Sequence, residues 1–128
     1  MSYQLTFWKY NDGVYLDSQK VYNDSCIEYL KVDGLSVLPV KNIITDIKTR
    51  YKSWEIMDEH TSGSEKGTIY SFIFDNGSCA FEAEISEQSV LFDCHGLDGG
   101  QMNELIDIML AYDCCLYDPQ TETRFDGK

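Results

Sequence analysis

An α+β fold is predicted for this chain: one domain with a largely antiparallel sheet and about three helices packed on one face. Three observations predict it. Apolar residues alternate with a period of two in some segments and recur every 3.6 residues in others, in the order β-α-α-β-β-β-α-β. An Asn76-Gly77 pair between two alternating runs is the strongest short hairpin signal. Each helical pattern carries a single apolar stripe, so one layer of helices on one layer of sheet suffices. At 128 residues, with neither an internal repeat nor a linker, a single domain is expected.

Tyr3, Leu5 and Phe7 alternate with Gln4, Thr6 and Trp8 as a first strand, which Asn11-Asp12-Gly13 ends with turn chemistry. Val14 to Leu16 is a short extension. Asp17 or Ser18 caps a helix running to about Leu30, with Val21, Tyr22, Cys26, Tyr29 and Leu30 inward, and Asp33-Gly34 closes it. Pro39 suits the first turn of the second helix. There Val40, Ile43, Ile44, Ile47 and Tyr51 make one continuous stripe with the basic residues off it.

Residues 58 to 67 are polar and contain Gly and Ser, so they read as a mobile surface loop. A β-meander follows: Thr68 to Asp75, Ser78 to Ile85 and Val90 to His95. Asp98, with Gln101 three residues later, forms a capping box at the start of the last helix. That helix buries Met102, Leu105, Ile106, Met109 and Leu110. A strand at Cys115 to Tyr117 and a short segment at Thr121 to Phe125 complete the chain.

Loop lengths fix strand register, and register places side chains on faces. With a two-residue Asn76-Gly77 loop, Phe74 faces Cys79, Phe72 faces Phe81, and Tyr70 faces Ala83 on the side that takes the helices. A two-residue Glu87-Gln88 loop adds Val90, Phe92 and Cys94 to that side. The other side carries Ile69, Ser71, Ile73, Ala80, Glu82, Glu84, Leu91, Asp93 and His95, and Ser71, Glu82 and Asp93 line up across three strands. Glu82 opposite Asp93 is a like-charge pair, which a sheet does not choose for stability. Either an internal Lys or Arg neutralises it, or solvent screens the exposed carboxylates, or a cationic partner docks there, on a surface whose mixture of acidic and apolar groups suits an interface. The expected partner-binding residues are Glu82, Glu84, Asp93, His95, Ser71 and Asp75.

Charge points the same way. The chain has 22 Asp+Glu against 10 Lys+Arg, a formal net charge of -12. Lys41, Lys48, Arg50 and Lys52 against Asp46 make one short segment +3 and leave -15 elsewhere. Such a field attracts cationic partners and repels nucleic acid and anionic membranes. The basic side of the second helix reads as a solvated face.

Catalytic and metal motifs are sparse. Asp93 and His95 share a strand face while Cys94 points away, poor geometry for a mononuclear zinc site. Asp58 and Glu59 beside His60 offer acid/base groups, but in a polar loop with no partner motif. Gly96, Gly99 and Gly100 do not form a phosphate-cradling loop. Five Cys with no C-x-x-C make no disulfide framework, and the adjacent Cys114 and Cys115 read as packing residues. The first nine residues lack the pattern of a signal peptide, and no apolar run is long enough to span a bilayer. A cytoplasmic, non-enzymatic protein without metal or cofactor is expected, with self-pairing through an open sheet edge such as Tyr3 to Trp8 as a weak homodimer.

The opening Met1-Ser2-Tyr3-Gln4-Leu5-Thr6-Phe7-Trp8-Lys9 and the tail Cys115-Leu116-Tyr117-Asp118-Pro119-Gln120, just after an amphipathic helix, resemble the two ends of small bacterial immunity proteins. Those proteins are encoded beside polymorphic or contact-dependent growth inhibition toxins. Gln4 stands where Asp is usual and Cys114 where Gly is usual, and residues 10 to 95 match no motif. The resemblance implies an inhibitor that binds a cognate protein toxin, a basic nuclease domain above all, and occludes its active site. It carries over no functional residues. The alternatives are an interaction or regulatory domain that binds another basic protein, and a small metal-dependent hydrolase using His60 or His95.

Overall fold

A computed structural model describes residues 2–125. Its elements are β1 (Ser2–Trp8), α1 (Ser18–Val21) continuing as a π-helical stretch Tyr22–Ile27, α2 (Val40–Arg50), β2 (Glu55–Ser64), β3 (Gly67–Asp75), β4 (Ala80–Ile85), β5 (Val90–His95), α3 (Gly99–Leu110), β6 (Cys115–Asp118) and β7 (Thr123–Phe125). The strands form one sheet in the order β2-β3-β4-β5-β1-β6-β7. Every neighbouring pair is antiparallel. The class is α+β, and rich in sheet. Strands β5 and β6 flank β1 and run parallel to each other, which calls for a crossover; α3 supplies it.

One sheet face holds the main core. Phe72, Phe74, Phe81 and Phe92 pack there under Ile43, Ile47 and Tyr51 of the α2 region and Leu105 and Met109 of α3. The phenyl rings of Phe74 and Phe81 stack at 4.9 Å. Helix α3 begins with the expected capping box: Asp98 accepts from the Gln101 N–H at 2.8 Å, and the Gln101 side chain accepts from the Asp98 N–H at 3.0 Å. Pro39 stands at the N-cap of α2.

The first helical segment lies on the opposite face, not beside the other two helices. Val21 and Leu35 pack with Trp8, Cys115 and Tyr117 in a second cluster, and Tyr22 donates to the Gln4 side chain at 2.6 Å. Trp8 is the cause: it points away from Phe7 and needs its own apolar cover, which the chain after β1 provides. The segment is also shorter and wider than a continuous helix to Leu30. Asp17 caps it through the Lys20 N–H at 3.1 Å, and Tyr29 ends it with φ +56°.

Three other expectations are corrected. Residues 58 to 67 are not a loop: 58 to 64 belong to edge strand β2, which pairs with β3 from Glu55–Asp75 to Ser64–Gly67, Glu65 and Lys66 make the turn, and Gly67 opens β3. Both faces of β2 are largely solvated, so its sequence has no alternation to read. The β3–β4 loop is Gly77-Ser78, with Gly77 at φ +93° in the first loop position. Phe74 therefore faces Phe81, and Phe72 faces Ala83. A slip of two residues keeps each side chain on its expected face. Finally, β1 is an interior strand, so Tyr3 to Trp8 is not an edge open to a second copy; the sheet edges are β2 and β7.

No helix among the described residues is long and apolar enough to cross a membrane.

Candidate functional site

The Glu87-Gln88 loop has two residues, closed by the Ser86 N–H to the Ser89 carbonyl at 3.0 Å. It sets Glu82 directly opposite Asp93, as the sequence suggests. Because β3–β4 is displaced by two, Ile73 and not Ser71 continues that row, and Asp58 of β2 completes it: Asp58, Ile73, Glu82, Asp93. Ser71 is opposite Glu84 and His60 in the next row. Asp75 and His95 lie in a third row with Glu55 and Ala80.

All six expected residues therefore share one face, but not one environment. Glu82 and Asp93 are half-buried, and no Lys or Arg among the described residues forms an ion pair with either. The nearest cationic candidate for Asp93 is His95, with Nε2 at 3.7 Å. One Asp93 oxygen is buried with no hydrogen-bond partner among the described residues. Asp75 serves a turn, accepting from the Gly77 N–H at 2.6 Å. His95 is exposed.

Glu84 and Ser71 lie at the end of this face that the first helical segment overhangs. Tyr29 Oη donates to the Glu84 carboxylate at 3.2 and 3.4 Å. Burial raises the Glu84 pKa and the nearby Glu82 and Asp93 charges raise it further, against the Tyr29 hydrogen bond and the charge of Lys66. Burial and Glu84 together push the Tyr29 hydroxyl up to about 12. Tyr29, His60, Ile69, Ser71 and Glu84 line a cleft of about 300 Å³, whose rim is Ser62, Gly63 and Ser64.

Lys66, from the β2–β3 turn, is buried nearby at 6% exposure. Its ammonium donates to the Ser25 carbonyl at 2.6 Å and to Ser89 Oγ at 2.9 Å, so it closes the end of the π-helical stretch and ties it to the β4–β5 loop. Burial lowers its pKa, while Cys26 and Glu84 act in the other direction.

Sequence reasoning missed Asp58, His60, Tyr29 and Lys66 as members of this face or its supports. His60 Nδ1 is 2.9 Å from Asp58 Oδ2, and the two share the face because they are two apart on a strand. Ser64 and Gly67 around Glu65-Lys66 were the available hairpin signal. Tyr29 had none, since its position depends on a left-handed backbone residue ending a π-helix.

Two of the four cations of the basic segment pair with acids away from the acidic face, while Lys41 and Lys52 are exposed, as a solvated face implies. Lys48 pairs with Glu59 at 3.4 Å and sits 4.8 Å from the Phe72 ring centre, and Arg50 pairs with Glu104 at 3.2 Å. Cys26, Cys94, Cys114 and Cys115 are buried, and Cys79 is half-buried. Cys114 belongs to the main core and Cys115 to the second cluster. Among the described residues, no three His, Cys, Asp or Glu side chains converge to hold a metal ion.

No protein-family model matches this chain, and neither a curated protein nor a solved structure matches it.

Proposed function

We propose that the protein is an immunity-type inhibitor that binds a cognate basic toxin, a nuclease domain by preference, through the acidic face of its sheet. One observation carries the reading: Glu82 and Asp93 stand opposite each other without a Lys or Arg partner among the described residues, in a row with Asp58. Cross-strand like charges destabilise a sheet, so their presence is accounted for by a partner that supplies the missing cations. The flanking Glu55, Asp75 and Glu84 extend the negative field, and Lys48 and Arg50 of α2 pair with acids away from this face. An acidic surface of this kind mimics a nucleic acid's charge and steers a basic domain at a rate that falls with salt. The ends that resemble immunity proteins agree with this reading. They clasp each other: the Gln120 side chain accepts from the Gln4 N–H at 2.7 Å and donates to its carbonyl at 2.9 Å.

The test is protection. Cells expressing the toxin domain encoded beside this protein survive when it is co-expressed and die when it carries Glu82→Lys with Asp93→Lys. Equal survival with the double variant removes the acidic face from the account. Binding to a basic protein without protection favours a regulatory interaction domain instead.

A second reading has one observation in its favour: His60, its Nδ1 2.9 Å from Asp58 Oδ2, is paired in register with the buried Ser71, and both line the same cleft, so a base, its orienting group and a hydroxyl are near one another. Labelling of Ser71 by a fluorophosphonate, lost in His60→Ala, would establish a hydrolase.

A further inference from the structure

We infer that the cleft under Tyr29 receives one arginine side chain of the bound partner, its guanidinium pairing with Glu84. This rests on the docking reading above and names the anchor within it. The cleft's volume of about 300 Å³ suits a single side chain rather than a large ligand. Its chemistry is that of a cation site. Glu84 supplies a carboxylate, Ser71 and His60 supply further polar groups, Ile69 supplies apolar wall for a methylene stem, and Tyr29 supplies an aromatic one.

Glu84 has acceptor capacity to spare. A carboxylate accepts about four hydrogen bonds, and among the described residues the Tyr29 hydroxyl is its one donor. Removal from water makes its charge costly, which an entering cation reverses. Lys66 lies close enough for its charge to favour the Glu84 carboxylate, but it does not line the cleft: its ammonium is committed to Ser25 and Ser89, 5.4 Å from the Tyr29 ring centre.

Arginine fits better than lysine. Its planar fork pairs with a carboxylate through two parallel hydrogen bonds, it is more weakly hydrated, and it packs favourably against an aromatic wall. The approach is also prepared. Asp58 and Glu82 lie two residues along the same strands from His60 and Glu84, so the acidic row borders the mouth of the cleft. An arginine among several basic residues of a partner thus reaches Glu84 while its neighbours meet Glu82 and Asp93.

The experiment is a titration of the full ¹⁵N-labelled chain with N-acetyl-arginine-methylamide, with the isosteric but neutral citrulline derivative as the control. Saturable amide shifts centred on Tyr29, His60, Ser71 and Glu84 are expected with arginine alone. Glu84→Gln is expected to weaken the response at least tenfold. Ser62→Arg, on the exposed rim, places a competing guanidinium at the mouth and is expected to do the same in a chain whose spectrum stays dispersed. No saturable shift, an equal response to citrulline, or a response unchanged in both variants overturns the inference. The two readings separate cleanly. Arginine binding without any basic partner keeps the cleft and removes the docking reading. A partner held equally by Glu84→Gln but lost in Glu82→Lys with Asp93→Lys keeps the docking face and removes the anchor.

Discussion

Glu82 and Asp93 face each other on adjacent antiparallel strands near the middle of a seven-stranded sheet, on the side not covered by α2 and α3. Opposed like charges in that setting cost stability that the fold itself has no reason to forgo. Glu82→Lys converts the pair into opposite charges. It is expected to raise the urea midpoint by an amount corresponding to about 0.2–1 kcal/mol, while weakening the partner. A midpoint equal to or below wild type would show that the pair carries no cost, and with it would go the argument that a partner accounts for the pair.

Lys66 is a different kind of charge, buried and committed. Lys66→Met keeps an aliphatic stem of similar reach but leaves the Ser25 carbonyl and Ser89 hydroxyl without their donor. A loss of about 1–3 kcal/mol in equilibrium unfolding is expected, the usual cost of buried groups left unpaired. Faster amide exchange in the Tyr22–Ile27 stretch is expected to accompany it, because Lys66 ties that stretch to the β4–β5 loop. Wild-type stability and exchange in this variant would mean that the ammonium is not what holds the segment.

Much of the fold was legible in the sequence, and the failures have identifiable physical causes. The β4–β5 register was readable because Glu87-Gln88 is a tight two-residue loop between two apolar runs of equal length. The β3–β4 register slipped by two because Gly77 takes the first loop position, with Ser78 second, a geometry that an Asn-Gly pair does not announce. Strand β2 was missed because an edge strand solvated on both faces has the composition of a loop. The first helical segment was placed on the wrong side because Trp8 was not weighed as the seed of a second core. The candidate site inherited these errors. Glu82 and Asp93 followed from register, whereas the cleft needs β2, the corrected register and Tyr29 together.

Gln120 joins the two ends of the chain through the backbone of Gln4, beside the Tyr3 hydroxyl bonded to Asp118. Gln120→Ala is expected to cost about 0.5–1.5 kcal/mol and to speed hydrogen exchange at the Gln4 amide without changing partner binding. Unchanged exchange at Gln4 would mean that the clasp is not made in solution.

Alkaline pH is expected to destabilise the protein. Burial pushes the Cys94 and Cys114 thiols up to about 12, and the Tyr29 hydroxyl also to about 12. In the unfolded chain these groups ionise at about 8.5 for Cys and 10 for Tyr. Above those values the native state holds protons that the unfolded state has released, so stability is full below pH of about 8.5 and falls as pH rises towards 12. Cys26, Tyr51 and Tyr112 are raised as well and act in the same sense, whereas Lys66 has a lowered pKa and works in the opposite one. Urea midpoints measured from pH 7 to 10.5 under reducing conditions should decline above about pH 9. A flat or rising profile would show that these groups are solvated in the native state.

The acidic face as a docking surface is tested most directly by affinity capture from the source cell, run in parallel with the wild type and with Glu82→Lys, Asp93→Lys. Both baits are eluted in a salt gradient and their partners identified by mass spectrometry. The account predicts one basic protein held by the wild type at close to equal stoichiometry, released as salt rises, and absent from the double variant. The same protein retained by both baits at the same salt concentration would contradict it.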